Sequence, residues 1–291
     1  MESQVIAQVV LNGFVTGMII ALPTIALTLT YGILKFPNFA IGAMLTVGAY
    51  FAYIANAWLQ LPLILAAVLA AIALAITSVG VDRLVFQPLR ERTAITLLVA
   101  SMGVSFVLEN AARFVLGNSA RSFDVAIARP QRFFELRVNM EQIYTAATAL
   151  CAMLTIYVIL RHTALGRAMR AVSDNPALAA VRGIDRERIA RRVWVIAGGL
   201  TAIAGVLAGL DRAIDPLLGW NYVVTVFAAA ILGGLGNPFG AVLGALTLGV
   251  VEETSTLLIP PNYRQVVSFC TIAFLLLARP QGLLGSVRVK R

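Results

Sequence analysis

The chain has 291 residues, 59% of them hydrophobic and only 13% charged, with a formal net charge of +9 and a pI of about 10.2. Soluble domains carry about a quarter charged residues, and a mean hydropathy of +0.86 excludes that class. Apolar runs of about 20 residues, each enough to cross a ~30 Å hydrocarbon core, recur along the whole length. The expectation is an all-α, polytopic transmembrane helical bundle forming one unit over residues 1–291.

Hydropathy places the spans at 5–34, 41–58, 62–82, 94–116, 140–160, 193–211, 222–235, 238–258 and 264–279. That makes eight or nine crossings. The 222–235 piece is short for a crossing and reads as a half-helix dipping into the bundle, where only surrounding protein can line it. The first segment starts near Val5 with no basic residue before it and outruns a signal h-region, so it reads as a retained helix. The connection 117–139 carries Phe123, Phe133 and Phe134 and is long enough to fold over the bundle mouth.

Basic residues orient the bundle. Lys35, Arg83, Arg90, Arg92, the eight arginines of the 161–192 loop, Arg279, Arg288, Lys290 and Arg291 fall on one side, sixteen in all. Arg113, Arg121, Arg129, Arg132, Arg137, Arg212 and Arg264 make seven on the other. This asymmetry predicts a cytoplasmic 161–192 loop and a cytoplasmic C-terminus. Without an aromatic platform beside them, the arginines point to anionic membrane lipids and not to nucleic acid.

Gly13/Gly17, Gly205/Gly209, Gly236/Gly240 and Gly240/Gly244 recur at four-residue spacing, as close helix packing in lipid requires. Cys151 and Cys270 lie in apolar segments and read as small core residues. Catalytic and metal-binding readings find no support. The one histidine, His162, sits at a predicted membrane boundary, so neither a His-based metal site nor a Ser-His-Asp triad can be assembled. The two lysines, Lys35 and Lys290, exclude a Walker A loop, so the chain is expected to bind no cofactor of its own.

Polar residues at membrane depth are Asn12, Glu109, Asn110, Asp211, Arg212, Glu252 and Glu253. Most fall near span ends, where they can reach the interface; Asp211 and Arg212 read as an ion pair on the outer face. Asn12, Glu109 and Asn110 are candidates for a translocation path. Two breaks add to them. Tyr31-Gly-Ile-Leu-Lys-Phe-Pro-Asn-Phe-Ala-Ile-Gly42 contributes Asn38 and Phe39, and Gly233-Gly-Leu-Gly-Asn-Pro-Phe-Gly240 contributes Gly233, Gly234 and Gly236. Interrupted segments in both halves of a chain point to a transport path.

The basic loop has its own local code. Thr163 caps a short helix through Ser173; Asn175 caps a second, with Pro176 at its first position and Gly183 beyond its end. Two capped helices make a rigid knob.

Ala164-Leu-Gly-Arg-Ala-Met-Arg-Ala-Val-Ser-Asp174, followed by Ala179-Ala-Val-Arg-Gly-Ile184, resembles the coupling loop of ABC-importer permeases, and more narrowly of branched-chain amino acid permeases. Asn12-Gly13, Tyr31-Gly32, the Asn38–Gly42 stretch, Asp82-Arg-Leu-Val-Phe-Gln-Pro-Leu-Arg90, Gly233-Gly-Leu-Gly236 and Arg279-Pro-Gln-Gly-Leu-Leu-Gly285 extend the resemblance over nearly the whole chain. It implies an ABC-importer permease fold in a bacterial inner membrane. Its partners would be a second homologous permease subunit, two cytoplasmic ATPases carrying ATP and Mg, and a periplasmic solute-binding protein. Gly166, Arg167, Arg170, Asp174, Ala180 and Gly183 would contact the ATPases. Such permeases commonly read His and Glu where this chain has Ile41 and Ala43. Importers of urea, amides and small carboxylates share the scaffold, and a secondary transporter without ATPase partners would also explain the broken helices.

Overall fold

The computed structural model describes residues 2–125, 131–133, 136–260, 263–278 and 282–284. Arg129, Phe134, Arg279, Arg288, Lys290 and Arg291 lie outside them, as do the side chains of Arg132, Phe133 and Arg137. In chain order come α1 (Glu2–Leu34), α2 (Ala40–Tyr53), α3 (Leu63–Val81), α4 (Gln87–Leu89) and α5 (Ala94–Leu116). A short antiparallel hairpin follows, β1 (Gln131–Phe133) with β2 (Leu136–Val138). Then come α6 (Met140–His162), α7 (Ala164–Asp174), α8 (Pro176–Val181), α9 (Arg186–Asp211), α10 (Leu218–Gly233), α11 (Pro238–Ser255) and α12 (Arg264–Ala278). π-helical turns at Ile54–Trp58 and Asp82–Phe86 extend α2 and α3. The hairpin is a minor addition, and the all-α expectation holds.

All nine apolar segments are helical. Among the described residues six are long and apolar enough to cross a membrane: α1, α2 with its π-turn, α3 through α4, α5, α6 and α9. The other three run for 16, 18 and 15 residues. At about 1.5 Å per residue α10 reaches only ~24 Å, short of the hydrocarbon core.

Burial sorts the helices. The apolar windows of α2 and α9 are 78% and 72% buried, whereas those of α3, α5 and α6 are 22% buried. The outer helices present Ile64, Ile76, Ile95, Val107 and Phe114 outward, as a lipid-facing surface does. Cys151 and Cys270 are exposed on α6 and α12, which corrects their expected core role. An apolar segment in a membrane does not reveal which of its faces meets protein.

The central helices meet backbone to backbone. A Cβ on Gly13 would lie 2.8 Å from the Gly249 carbonyl oxygen, and one on Gly17 would lie 2.9 Å from that of Ala245, so α1 packs directly on α11. Within α1, Thr24 and Thr30 return their hydroxyls to the carbonyls of Ile20 and Ala26, at 2.7 and 3.0 Å, which satisfies them without water. Residues 117–125 do fold over one bundle mouth. Arg121 and Ile214 exchange backbone hydrogen bonds of 2.8 and 2.7 Å, Asn56 Oδ1 accepts from the Asp124 amide at 2.8 Å, and buried Phe123 rests against Gly209.

Candidate functional site

One end of the bundle carries the knob of α7 and α8. Thr163 Oγ1 accepts from the Gly166 amide at 3.3 Å and Asn175 Oδ1 from that of Leu178 at 3.0 Å, so each helix starts on its own cap. Gly183, at φ 78°, closes α8 in the left-handed region; its amide donates to Ala180 O at 2.9 Å and that of Ile184 to Ala179 O at 3.0 Å. Arg170 Nη1 donates to the Leu160 carbonyl oxygen at 2.5 Å, and Gly166 lies so close to that carbonyl that a Cβ would not fit. Met169 and Val172 are buried beneath. Arg167, Asp174 and Ala180 face outward, as do the apolar Leu178 and Val181, 58% and 83% exposed.

One hydrogen bond ties the knob to the core, and two further clusters brace the same end of the bundle. Lys35 Nζ donates to Ser173 Oγ at 3.2 Å, joining the α1–α2 break to α7. Arg90 binds both Asp82 and Glu187; the Arg90 and Asp82 side chains are 4% and 2% exposed, Glu187 39%. Phe36, Phe86 and Trp194 stack in series with centroids 5.3 and 5.2 Å apart. Asp185 caps α9 through the amides of Glu187 and Arg188. Desolvation pushes its carboxyl up, but those amides and the Arg188 guanidinium outweigh it and hold it below the usual carboxylate range.

The second glycine break lies between α10 and α11. Gly234 and Gly236 adopt φ of 100° and 89°, and Asn237 Oδ1 caps α11 through the amides of Phe239 and Gly240. The C-terminal segment rests on this turn. The Leu283 amide donates to Leu232 O at 2.7 Å, and Asn237 Nδ2 donates to Leu284 O at 3.0 Å. Two sequence motifs fifty residues apart thus form one structure.

At the far end, two adjoining cavities of about 410 and 310 Å³ share Thr16, Arg212 and Arg264 in their walls. Arg264 Nη2 pairs with Glu253 Oε2 at 2.9 Å. Arg212 Nε pairs with Asp211 Oδ2 at 3.4 Å, as the adjacent residues suggested, and its guanidinium stands 5.6 Å from the Tyr222 ring centroid. Glu252 is 6% exposed and accepts at Oε1 from Thr225 Oγ1, at 2.7 Å, and from Ser268 Oγ. Its burial corrects the expectation that it reaches the interface. Among the described residues no three His, Cys, Asp or Glu side chains converge as a metal site.

The residues singled out for a path fall in three places. Asn12 lines the far-end cavity and accepts from Gln8 and Gln142, both at 3.2 Å. Buried Asn38 caps its own break by accepting from the Ala40 amide at 3.1 Å; Phe39 stacks on Phe227 at 4.4 Å. Gly233, Gly234 and Gly236 form the turn just described. Glu109 pairs with Arg113, and Asn110 is exposed on peripheral α5; neither lines a far-end cavity. Ile41 and Ala43, where polar residues were expected, are buried. Sequence reasoning passed over Tyr222, Glu252 and Arg264 as site residues. Their signal was the Glu252-Glu253 pair closing an otherwise apolar segment.

A bundle with two broken helix pairs, a capped knob at one end and a charged cavity at the other defines a multi-pass membrane permease. Solved structures share its fold. PsaBC from Streptococcus pneumoniae in complex with Fab aligns with a TM-score of 0.51 at 10% identity, covering 93% of this chain and 91% of that one. A metal-chelate type ABC transporter in an inward-facing conformation aligns at 0.50 with 15% identity, covering 96% and 90%. The family model described as branched-chain amino acid transport system / permease component matches residues 9–276, and the chain belongs to that family. It is 31% identical to the high-affinity branched-chain amino acid transport system permease protein LivH of Escherichia coli K12, over 98% of this chain and 97% of that protein. It is 30% identical to BraD of Pseudomonas aeruginosa, the permease protein of a system of the same description, over the same shares.

Proposed function

We propose that this chain is a permease subunit of an ATP-driven importer in a bacterial inner membrane, moving branched-chain or related small hydrophobic amino acids. The observation that carries the reading is the family match over residues 9–276. The knob gives it a mechanism. Exposed Leu178 and Val181 beside Arg167 and Arg182 offer an apolar contact with a basic rim, held rigid by two caps and Gly183. Such a surface suits a groove on a cytoplasmic ATPase. Gly166, Arg170, Asp174 and Ala180 belong to the same unit.

In this reading the subunit pairs with a homologous permease, two ATPases hold ATP and Mg, and a periplasmic binding protein delivers the amino acid at the far end. The knob and C-terminus face the cytoplasm, in keeping with the basic asymmetry of the connections. Closure of the ATPases would move the knob. Lys35–Ser173, the Asp82–Arg90–Glu187 cluster and the aromatic stack would pass that motion to α1, α3 and α9. The turn at Gly233, Gly234 and Gly236 and the break at Asn38 and Phe39 would border the inner part of the route.

The test is assembly and transport. A tagged chain expressed with its neighbouring transport subunits should bring down two ATPases, and the reconstituted complex should take up radiolabelled leucine, isoleucine or valine only with ATP and a loaded binding protein. Uptake by the isolated chain without ATPases would favour the secondary-transporter reading instead.

A further inference from the structure

The two adjoining far-end cavities hold an unmatched set of polar groups. Three carboxylates, Asp211, Glu252 and Glu253, face two guanidinium groups, Arg212 and Arg264. Both guanidinium groups are engaged, Arg212 with Asp211 and Arg264 with Glu253. Glu252 is left with hydroxyl donors and no ion pair among the described residues, although it is 6% exposed. Both hydroxyls donate to Oε1. A buried carboxyl group in that state either takes a proton or gains from a cation brought within reach.

The same wall holds the opposite deficit. The Tyr222 hydroxyl and Arg264 Nε are buried and have no acceptor. Each such donor has given up water for nothing. Others occur at Tyr50, Arg90 and Trp194, but here two of them share a cavity wall with an unpaired carboxyl group. Tyr222, Glu252 and Arg264 line one cavity of about 310 Å³, with apolar Ile20 beside them. An unpaired carboxyl group for a cation and two free donors for an anion, in one small chamber, are complementary to a molecule bearing both charges.

We propose that this chamber holds the zwitterionic head of an α-amino acid, its ammonium group on Glu252 and its carboxylate on Tyr222 Oη and Arg264. The inference rests on the amino acid reading above and gives it a place and residues. It also assigns the cavity a selectivity: the head group is read by charge, while the apolar side chain meets no residue here that names it. A solute lacking either charge leaves one of the two deficits standing.

The experiment uses the complete complex in proteoliposomes with saturating leucine-loaded binding protein, so that affinity for the binding protein's ligand does not enter. Tyr222→Phe removes one hydroxyl that has no partner, and Glu252→Gln removes one charge at constant size. Each should lower the maximal rate of radiolabelled leucine uptake about tenfold or more, with copurified ATPase unchanged, as loss of a hydrogen bond to a charged group does. Leucine uptake at the wild-type rate in both variants would overturn the proposal and leave the leucine-importer reading standing. If the wild-type complex moves no branched-chain amino acid, that reading fails separately, and labelled alanine, glutamate and urea decide the chamber. Uptake of another α-amino acid that falls in both variants supports it. A complex that moves urea alone, or no amino acid at all, refutes it.

Discussion

The two ends of this bundle hold charge in opposite ways. At the knob end most of the arginines come from one continuous stretch, stand exposed, and flank an apolar contact on α8. At the far end Asp211, Arg212, Glu252, Glu253 and Arg264 arrive from α9, α11, α12 and a turn, and line two adjoining cavities. The buried charges differ too. Arg90 at the knob end has a carboxylate on either side, whereas Glu252 at the far end has hydroxyls only. A surface for another macromolecule can be built locally and left in water. The chamber proposed for a small solute gathers groups from separate helices and leaves some of them unmatched.

The largest effect should come from breaking the matched cluster. Arg90→Ala leaves Asp82 buried without its cation, and loss of one partner of a buried pair costs about 3–5 kcal/mol. Glu187→Gln cuts the half-exposed arm of the same cluster and should stay within about 1 kcal/mol. Thermal unfolding of the two variants in detergent ranks them; equal midpoints would show that Arg90 is not the keystone its burial makes it.

Next comes the knob's function. Gly183→Val forces a β-branched residue into the left-handed region, a strain of about 1–2 kcal/mol confined to the end of α8. Membrane abundance should stay near normal while copurified ATPase and amino acid uptake both fall severalfold. That pattern separates the two ends, since far-end variants should lower uptake alone. Full ATPase retention with normal uptake would reduce the knob to a connector.

The smallest effect is set by pH. The Asp185 carboxyl is held below its ordinary value, so what it adds to the start of α9 is complete above the unfolded carboxylate pKa of about 3.9 and fades as the pH falls through the lower folded value. Hydrogen exchange at the Glu187 and Arg188 amides, corrected for intrinsic rates, should show protection at pH 5 and less of it near pH 3. Unchanged protection would mean that the cap acts without its charge.

How much of this was legible in the sequence follows from the same contrast. The knob was readable residue by residue, because Thr163, Asn175, Pro176 and Gly183 act on neighbours three or four positions away. The nine helices were readable because apolarity over twenty residues is a local property. The far-end chamber was not, since Tyr222, Glu252 and Arg264 become neighbours only after three helices pack. Equally hidden was the sorting of apolar faces. Cys151 on α6 and Ala202 in the core sit in segments of similar hydropathy, and only packing separates lipid from protein. The hairpin of β1 and β2 gave no warning because strands of three residues have no period to detect.

One helix reaches both ends. α1 runs unbroken for 33 residues, with Thr16 at the chamber, Asn12 at the adjoining cavity, and Lys35, just past its last residue, bonded to Ser173 on the knob. At about 1.5 Å per residue it spans ~50 Å, and interior Pro23, which lacks one helix hydrogen bond, is where it would bend. It tilts by only about 2° for a sideways displacement of ~2 Å at one end if the other stays fixed. Its direct seating of Gly13 and Gly17 on α11 carries any such tilt straight to the helix that bears Glu252. The subunit therefore has a built-in lever arm, with its bearing near the chamber and its handle at the knob.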